Sequence, residues 1–269
     1  MMEPAQIVHR QIWRENSLSL GSRSIPEETA VALTYNGGTY AVMMTTPQDL
    51  EDFAVGFSLS EGVISASKDV DSLNIMSLDD GIELRMWLSK PRADRLQERR
   101  RHIAGPTGCG LCGIESIAEA MRPAAVVGRG PQFSPEQIMV AMQGLSSRQK
   151  LNIETRAVHA AAFWNATSGI VALREDVGRH NALDKLSGAL ARASIVASEG
   201  IILLTSRVSV EMVQKSAAIG APVMVSVSAP TALAVRTADA AGITLAAIAR
   251  ADGFEVFTHP GRISDEPLR

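Results

Sequence analysis

The stretch Ile201 to Thr231, IILLTSRVSVEMVQKSAAIGAPVMVSVSAPT, decides the fold. Ile201 to Thr205 is an apolar run of strand length that breaks into a polar loop, Thr205 to Ser209, before a helix-like segment. Val223 to Ser228 then repeats the strand, and Ser226 to Thr231 repeats the polar loop. Alternation of strand and helix predicts an α/β sheet. Ser216 to Val235 carries no formal charge over a membrane-like length, but Gly220, Pro222 and Pro230 punctuate it and Ser226 and Ser228 alternate with valines. It reads as a buried strand between turns, not a membrane span.

The same rhythm extends outward. Ala157 to Trp164, Ile170 to Arg174 and Ile243 to Arg250 are further strand candidates, with a strand-like Phe254 to Thr258 after the last. Arg174 to Asn181 is a third strand-to-helix loop. In open α/β sheets such loops gather at the carboxyl edge, where helix N-termini present free N–H groups to anions, so the ligand crevice is expected there. Ser134, Pro135 and Gln137 form a capping box ahead of Ile138, Met139, Met142 and Leu145. A boundary near residue 130 follows, dividing the chain into residues 1–130, a smaller α+β domain, and residues 131–269, an α/β domain.

In the first part, Thr29 to Tyr35 and Thr39 to Thr45 flank the turn Asn36, Gly37, Gly38, a hairpin signature. Thr46 is placed to cap a helix with Pro47 at its first position, carrying Leu50, Phe53, Ala54 and Phe57 at helical spacing until Gly62. A strand is expected at Ile82 to Leu88, then a charged helix over Arg92 to Arg101 whose basic face is read as solvated.

Of 269 residues, 46% are hydrophobic and 20% charged, which is ordinary globular usage and argues against disorder. A net charge of −3 offers no general attraction to nucleic acid. Met1 to Arg14 lacks the apolar core and cleavage site of a secretory signal, so a cytoplasmic protein is expected, with no membrane partner.

The two cysteines fall in Gly108 to Gly113, GCGLCG, directly before the helix-forming stretch Ile114 to Met121. A thiol near a helix N-terminus is biased toward the reactive thiolate, and flanking glycines leave room for a large reactant. A structural disulfide does not suit a reducing cytosol. Structural zinc needs four ligands, and beyond the two cysteines His102 offers only a third. A dithiol oxidoreductase is expected beside the first strand of a βαβ unit, whereas this pair follows an arginine-rich segment at mid-chain. A sulfur carrier, accepting a sulfur atom by exchange on one thiolate, is the remaining reading. Chemistry alone leaves the last two level.

Several segments, in order, resemble the formate dehydrogenase accessory sulfurtransferase (FdhD) family: Thr46 to Ile64 (TPQDLEDFAVGFSLSEGVI), Cys109 to Gly113 (CGLCG), Val158 to Ala161 (VHAA), Glu175 to Lys185 (EDVGRHNALDK), Arg207 to Lys215 (RVSVEMVQK), Ser226 to Ala234 (SVSAPTALA) and Ile248 to Ile263. The resemblance implies a sulfur carrier that takes persulfide sulfur from a cysteine desulfurase and passes it to the molybdenum cofactor, as bis-molybdopterin guanine dinucleotide, before insertion into formate dehydrogenase. It also implies a homodimer, a cytidine deaminase-like fold for the second domain, and no permanently bound metal. The His-x-Glu and Pro-Cys-x-x-Cys segments of the zinc deaminases do not occur here.

By residue match, the resemblance makes Cys109 the persulfide-bearing cysteine and Cys112 its partner. It makes Ile248, Ala249, Arg250, Ala251, Asp252 and Gly253 the cofactor-binding stretch, with Asp252 facing the guanine edge; an Asp-Gly turn is the plain alternative. Arg179, His180, Asn181, Arg207 and Lys215 are candidates near phosphate, with His159 beside them, while both histidines also read as satisfied core residues. Arg156 and Ala157 stand where the family commonly has glycines, and Ser206 replaces another.

Overall fold

The computed structural model describes residues 2–103 and 122–264. It opens with a hairpin of β1 (Ala5–Arg14) and β2 (Ser17–Pro26), which the hydrophobic pattern does not announce because Ile7, Trp13, Leu18 and Leu20 are exposed on it. The hairpin is fastened farther along the chain by Arg23, which donates from Nη2 to the Thr155 carbonyl at 3.0 Å.

The expected second hairpin is present as β3 (Thr29–Tyr35) and β4 (Gly38–Thr45). Asn36 and Gly37, at φ 49° and 81°, supply the left-handed turn. After α1 (Leu50–Ser60) come β5 (Val70–Leu78) and β6 (Gly81–Leu88), completing a four-stranded sheet in the order β4-β3-β6-β5. Val31, Leu33, Tyr35, Leu84 and Met86 bury one face of it under Phe53 and Phe57 of α1. The charged helix follows as α2 (Lys90–Ile103).

The start of α1 departs from the expected Thr46 cap. Asp49 is the capping residue, at φ 54°, and Thr46 is held elsewhere: its N–H donates to Asp176 at 3.0 Å and its hydroxyl oxygen accepts from the Val177 N–H at 3.2 Å. These distant partners override the local signal.

In the second part, Ser134 and Gln137 form the expected capping box at α3 (Pro135–Ser146). Beyond α4 (Lys150–Thr155), β7 (His159–Asn165) and β8 (Gly169–Asp176) make a hairpin. Then follow α5 (Arg179–Arg192), β9 (Ile201–Leu204), α6 (Val210–Ile219), β10 (Val223–Ser226), α7 (Ala232–Ala240), β11 (Thr244–Arg250) and β12 (Gly253–Val256). The strands form a six-stranded sheet, β12-β11-β10-β9-β7-β8, in which β9, β10 and β11 are parallel. Ile202, Leu204, Met224 and Leu245 face α5, α6 and α7, whereas Ile201, Leu203, Val223 and Val225 face α3 and Phe133. Covered on both sides, β9 and β10 are apolar throughout.

Residues ahead of the expected boundary near 130 already pack on this larger sheet: Val127 lies in its core and donates its N–H to the Ala241 carbonyl at 2.9 Å. The two halves meet where α1 crosses α5. A Cβ on Gly56 would stand 1.7 Å from the Asp184 carbonyl oxygen, and one on Gly188 1.9 Å from that of Asp52, so glycine at both positions permits the approach. Ion pairs flank the crossing: Asp52 with Arg174 at 2.7 Å and Arg192 at 2.5 Å, and Asp184 with Lys215 at 2.7 Å.

Among the described residues, no helix is long and apolar enough to cross a membrane.

Candidate functional site

Because β7 is antiparallel to both neighbours, β8 runs the same way as β9, β10 and β11, and the carboxyl ends of all four meet at one edge. The expected polar loops lie there and are laced together. Thr205 N–H donates to the Ala160 carbonyl at 3.1 Å, and Ser226 Oγ to the Ser206 carbonyl at 2.6 Å. Thr231 N–H reaches the Val208 carbonyl at 2.9 Å, and Ile248 N–H the Ser228 carbonyl at 3.4 Å. Helices α5, α6 and α7 all begin from this edge, aiming their N-terminal N–H groups toward it.

Arg179 and His180 occupy the first turn of α5. Arg179 Nε and His180 Nε2 are screened from solvent, and neither has a hydrogen-bond partner among the described residues. His180 Nε2 stands 3.4 Å from Glu211 Oε2, within ion-pair range but outside hydrogen-bond geometry, while that carboxylate oxygen accepts from Ser209 Oγ at 2.9 Å. Burial, followed by the Arg179 guanidinium, holds the His180 pKa below the usual imidazole value, with Glu211 opposing. His159 opens β7 opposite Asp176, and burial and Arg179 lower its pKa likewise. Both rings are therefore biased to the neutral form, each with a nitrogen able to donate. Shielded donors with no hydrogen bond among the described residues, beside a helix N-terminus, suit an anion, because an acceptor there removes their desolvation cost.

Other expected residues divide. Arg207 is exposed on the loop after β9. Lys215 is committed to Asp184, bonding both carboxylate oxygens at 2.7 and 2.9 Å, so its charge is neutralised at the α6–α5 contact. Asn181 is buried and turned inward, donating to the Met44 carbonyl at 2.8 Å and to Asp176 at 3.1 Å. Ile248 stands at the carboxyl end of β11 with φ 54°, a costly conformation for a β-branched residue, where a bulge separates Ala247 from Arg250. Ala249 is buried, Arg250, Ala251 and Asp252 are exposed, and Arg250 pairs with Gly253 across the turn into β12. The plain Asp-Gly turn is thus present at the carboxyl edge of the sheet. Cys109 and Cys112 lie outside the described residues.

Sequence reading missed the roles of Asp176, Lys185 and Glu211. Spacing could not pair Asp176 with Lys185, since they lie nine positions apart across a strand end and a helix; the available signal was two charges beside apolar Ala182, Leu183 and Leu186. Among the described residues, no group of three or more His, Cys, Asp or Glu is placed to hold a metal ion.

Residues 26–264 match the model of the FdhD/NarQ family. The chain belongs to that family. A relative from Agrobacterium fabrum, named sulfur carrier protein FdhD, is 51% identical over 257 residues, covering 95% of each chain. A relative of the same name from Cupriavidus necator is 50% identical over 254 residues, covering 94% of this chain and 88% of its own. In fold, the FdhD/NarQ chain is similar to a crystal structure from Desulfotalea psychrophila, described as a formate dehydrogenase accessory protein. The TM-score is 0.77 at 24% identity, over 97% of this chain and 100% of that one.

Proposed function

We propose that this chain is a cytoplasmic sulfurtransferase that carries sulfur as a persulfide on Cys109 and delivers it to bis-molybdopterin guanine dinucleotide destined for formate dehydrogenase. The observation that carries the sulfur half is the 51% identity, over nearly the whole length, to a sulfur carrier protein, in a chain with only two thiols. The acceptor half is supported by the carboxyl edge of the larger sheet, where Arg179 Nε and His180 Nε2 are shielded and have no hydrogen-bond partner among the described residues. Asp252, exposed at the same edge, is the residue proposed to accept N–H groups from guanine. A hairpin followed by helix-linked parallel strands supports the cytidine deaminase-like reading of the larger half.

In the proposed step, the Cys109 thiolate attacks the terminal sulfur of a persulfide on a cysteine desulfurase. The new S–S bond forms as the donor's S–S bond breaks, the donor cysteine leaves as thiolate, and no external oxidant or reductant is consumed. In delivery the S–S bond on Cys109 would break, Cys109 would leave as thiolate and the sulfane sulfur would bond to the acceptor's metal, whose two-electron oxidation would balance the reduction of that sulfur to sulfide. The cofactor, as cargo, supplies the metal centre that receives sulfur; Arg179, His180 and the α5 N-terminus hold its phosphates. Cys112 is proposed to clear a stalled persulfide: its thiolate attacks Cys109 Sγ, the outer sulfur leaves as hydrosulfide, and the resulting disulfide is reopened by an external dithiol reductant. The working unit is proposed to be a homodimer.

Incubation with a desulfurase and cysteine is expected to add one sulfur atom to Cys109, read as a mass increase on its tryptic peptide. Equal labelling of Cys109→Ala protein would refute the assignment.

A further inference from the structure

Behind the loops at the carboxyl edge, one carboxylate joins the two halves of the molecule. Asp176 is fully buried, and its oxygens divide between two sets of donors. Oδ1 accepts from the Gly178 N–H at 2.7 Å and from Asn181 Nδ2 at 3.1 Å, donors that bracket Arg179 and His180. Oδ2 accepts from the Thr45 hydroxyl, from the Thr46 N–H at 3.0 Å and from Lys185 Nζ at 2.7 Å.

The end of β4 and the residue that follows it return these bonds. The Thr46 carbonyl accepts from Lys185 Nζ at 2.9 Å, and the Met44 carbonyl from Asn181 at 2.8 Å. The turn fits tightly: a Cβ on Gly178 would stand 2.9 Å from Asn181 Nδ2. Lys185 and Asp176 are both wholly shielded, and burial lowers the lysine pKa against the pull of its partner.

An ion pair removed from water on both sides adds little net stability over an apolar pair of similar size, because desolvation offsets the attraction. What it adds is geometry: five donors fix the carboxylate, and the carboxylate fixes the turn. We infer that Asp176 and Lys185 are positioning residues that set Arg179 and His180 at the crevice and make their placement depend on Thr45 and Thr46 of the smaller half. The inference rests on the anion-binding reading of that crevice. It gives the smaller half a share in acceptor affinity even though Thr45 and Thr46 are buried behind the site.

The test uses full-length protein, with GDP as probe. Thr45→Val removes one donor to Oδ2 without changing volume, and Thr45→Ser keeps the hydroxyl. Calorimetric titration is expected to show GDP binding weakened on the order of tenfold in Thr45→Val, the scale of coupling through a contact network. The His180 ring is expected to titrate at a shifted midpoint by NMR, while Thr45→Ser stays near wild type in both. A Thr45→Val protein that melts earlier but keeps wild-type GDP affinity and His180 titration would overturn the inference. Failure of wild-type protein to bind GDP would instead count against the nucleotide reading. The His180 midpoint in Thr45→Val would then decide the positioning claim alone, a shift supporting it and no shift overturning it.

Discussion

At the scale of single residues, the two crevice histidines make a prediction with a definite sign. Burial lowers the pKa of His159 and His180 in the folded chain, whereas the unfolded rings titrate near the ordinary value of about 6.5. Below that value the unfolded state binds more protons, so the contribution of neutral, buried rings is fully present above it and is lost as pH falls. Urea midpoints are expected to drop between about pH 7.5 and 5.5, with a shallower slope in His159→Gln/His180→Gln protein. An identical slope would show that the rings are not held neutral. Two of the three departures from the expected pattern also have a local account. Arg156 caps α4 at φ 59°, a left-handed conformation that glycine takes at no steric cost, which fits the glycine expected there from the resemblance. Ser206 needs no positive φ and turns its carbonyl to the Ser226 hydroxyl, so serine serves at that point of the loop.

At the scale of elements, α1 is the piece on which the two halves depend, since one side covers the smaller sheet and the other lies on α5. Gly56→Ala or Gly188→Ala places a methyl carbon far inside van der Waals contact distance of a backbone oxygen, which only separation of the helices can relieve. Each is expected to cost about 3 kcal/mol, the upper part of the overpacking range, and urea denaturation would read it. A loss below about 0.5 kcal/mol, the size of an ordinary surface substitution, would contradict the close crossing. The capping box at α3 was legible from Ser134, Pro135 and Gln137 because its partners are three residues apart. The start of α1 was not, because the groups that claim Thr46 lie about 130 residues away.

At the scale of the whole molecule, the α/β sheet was legible because β9, β10 and β11 are buried runs bounded by polar loops, and the loops sit at one edge as their order implies. The β1–β2 hairpin escaped notice because its large apolar residues point to solvent. The carboxyl edge was legible as a set of loops but not as a set of side chains. Lys215 and Asn181, chosen as phosphate contacts for their chemistry, spend their donors on Asp184, Asp176 and Met44, pairings that only the fold brings together. The account joins a sulfur-bearing cysteine to this crevice, and one measurement spans both. A desulfurase loaded with isotopically labelled cysteine is mixed with this protein and the guanine-dinucleotide cofactor, and label in the re-isolated cofactor is counted. The account predicts labelled cofactor with wild-type protein and background label with Cys109→Ala. Labelled cofactor at the wild-type level in the Cys109→Ala reaction would contradict it.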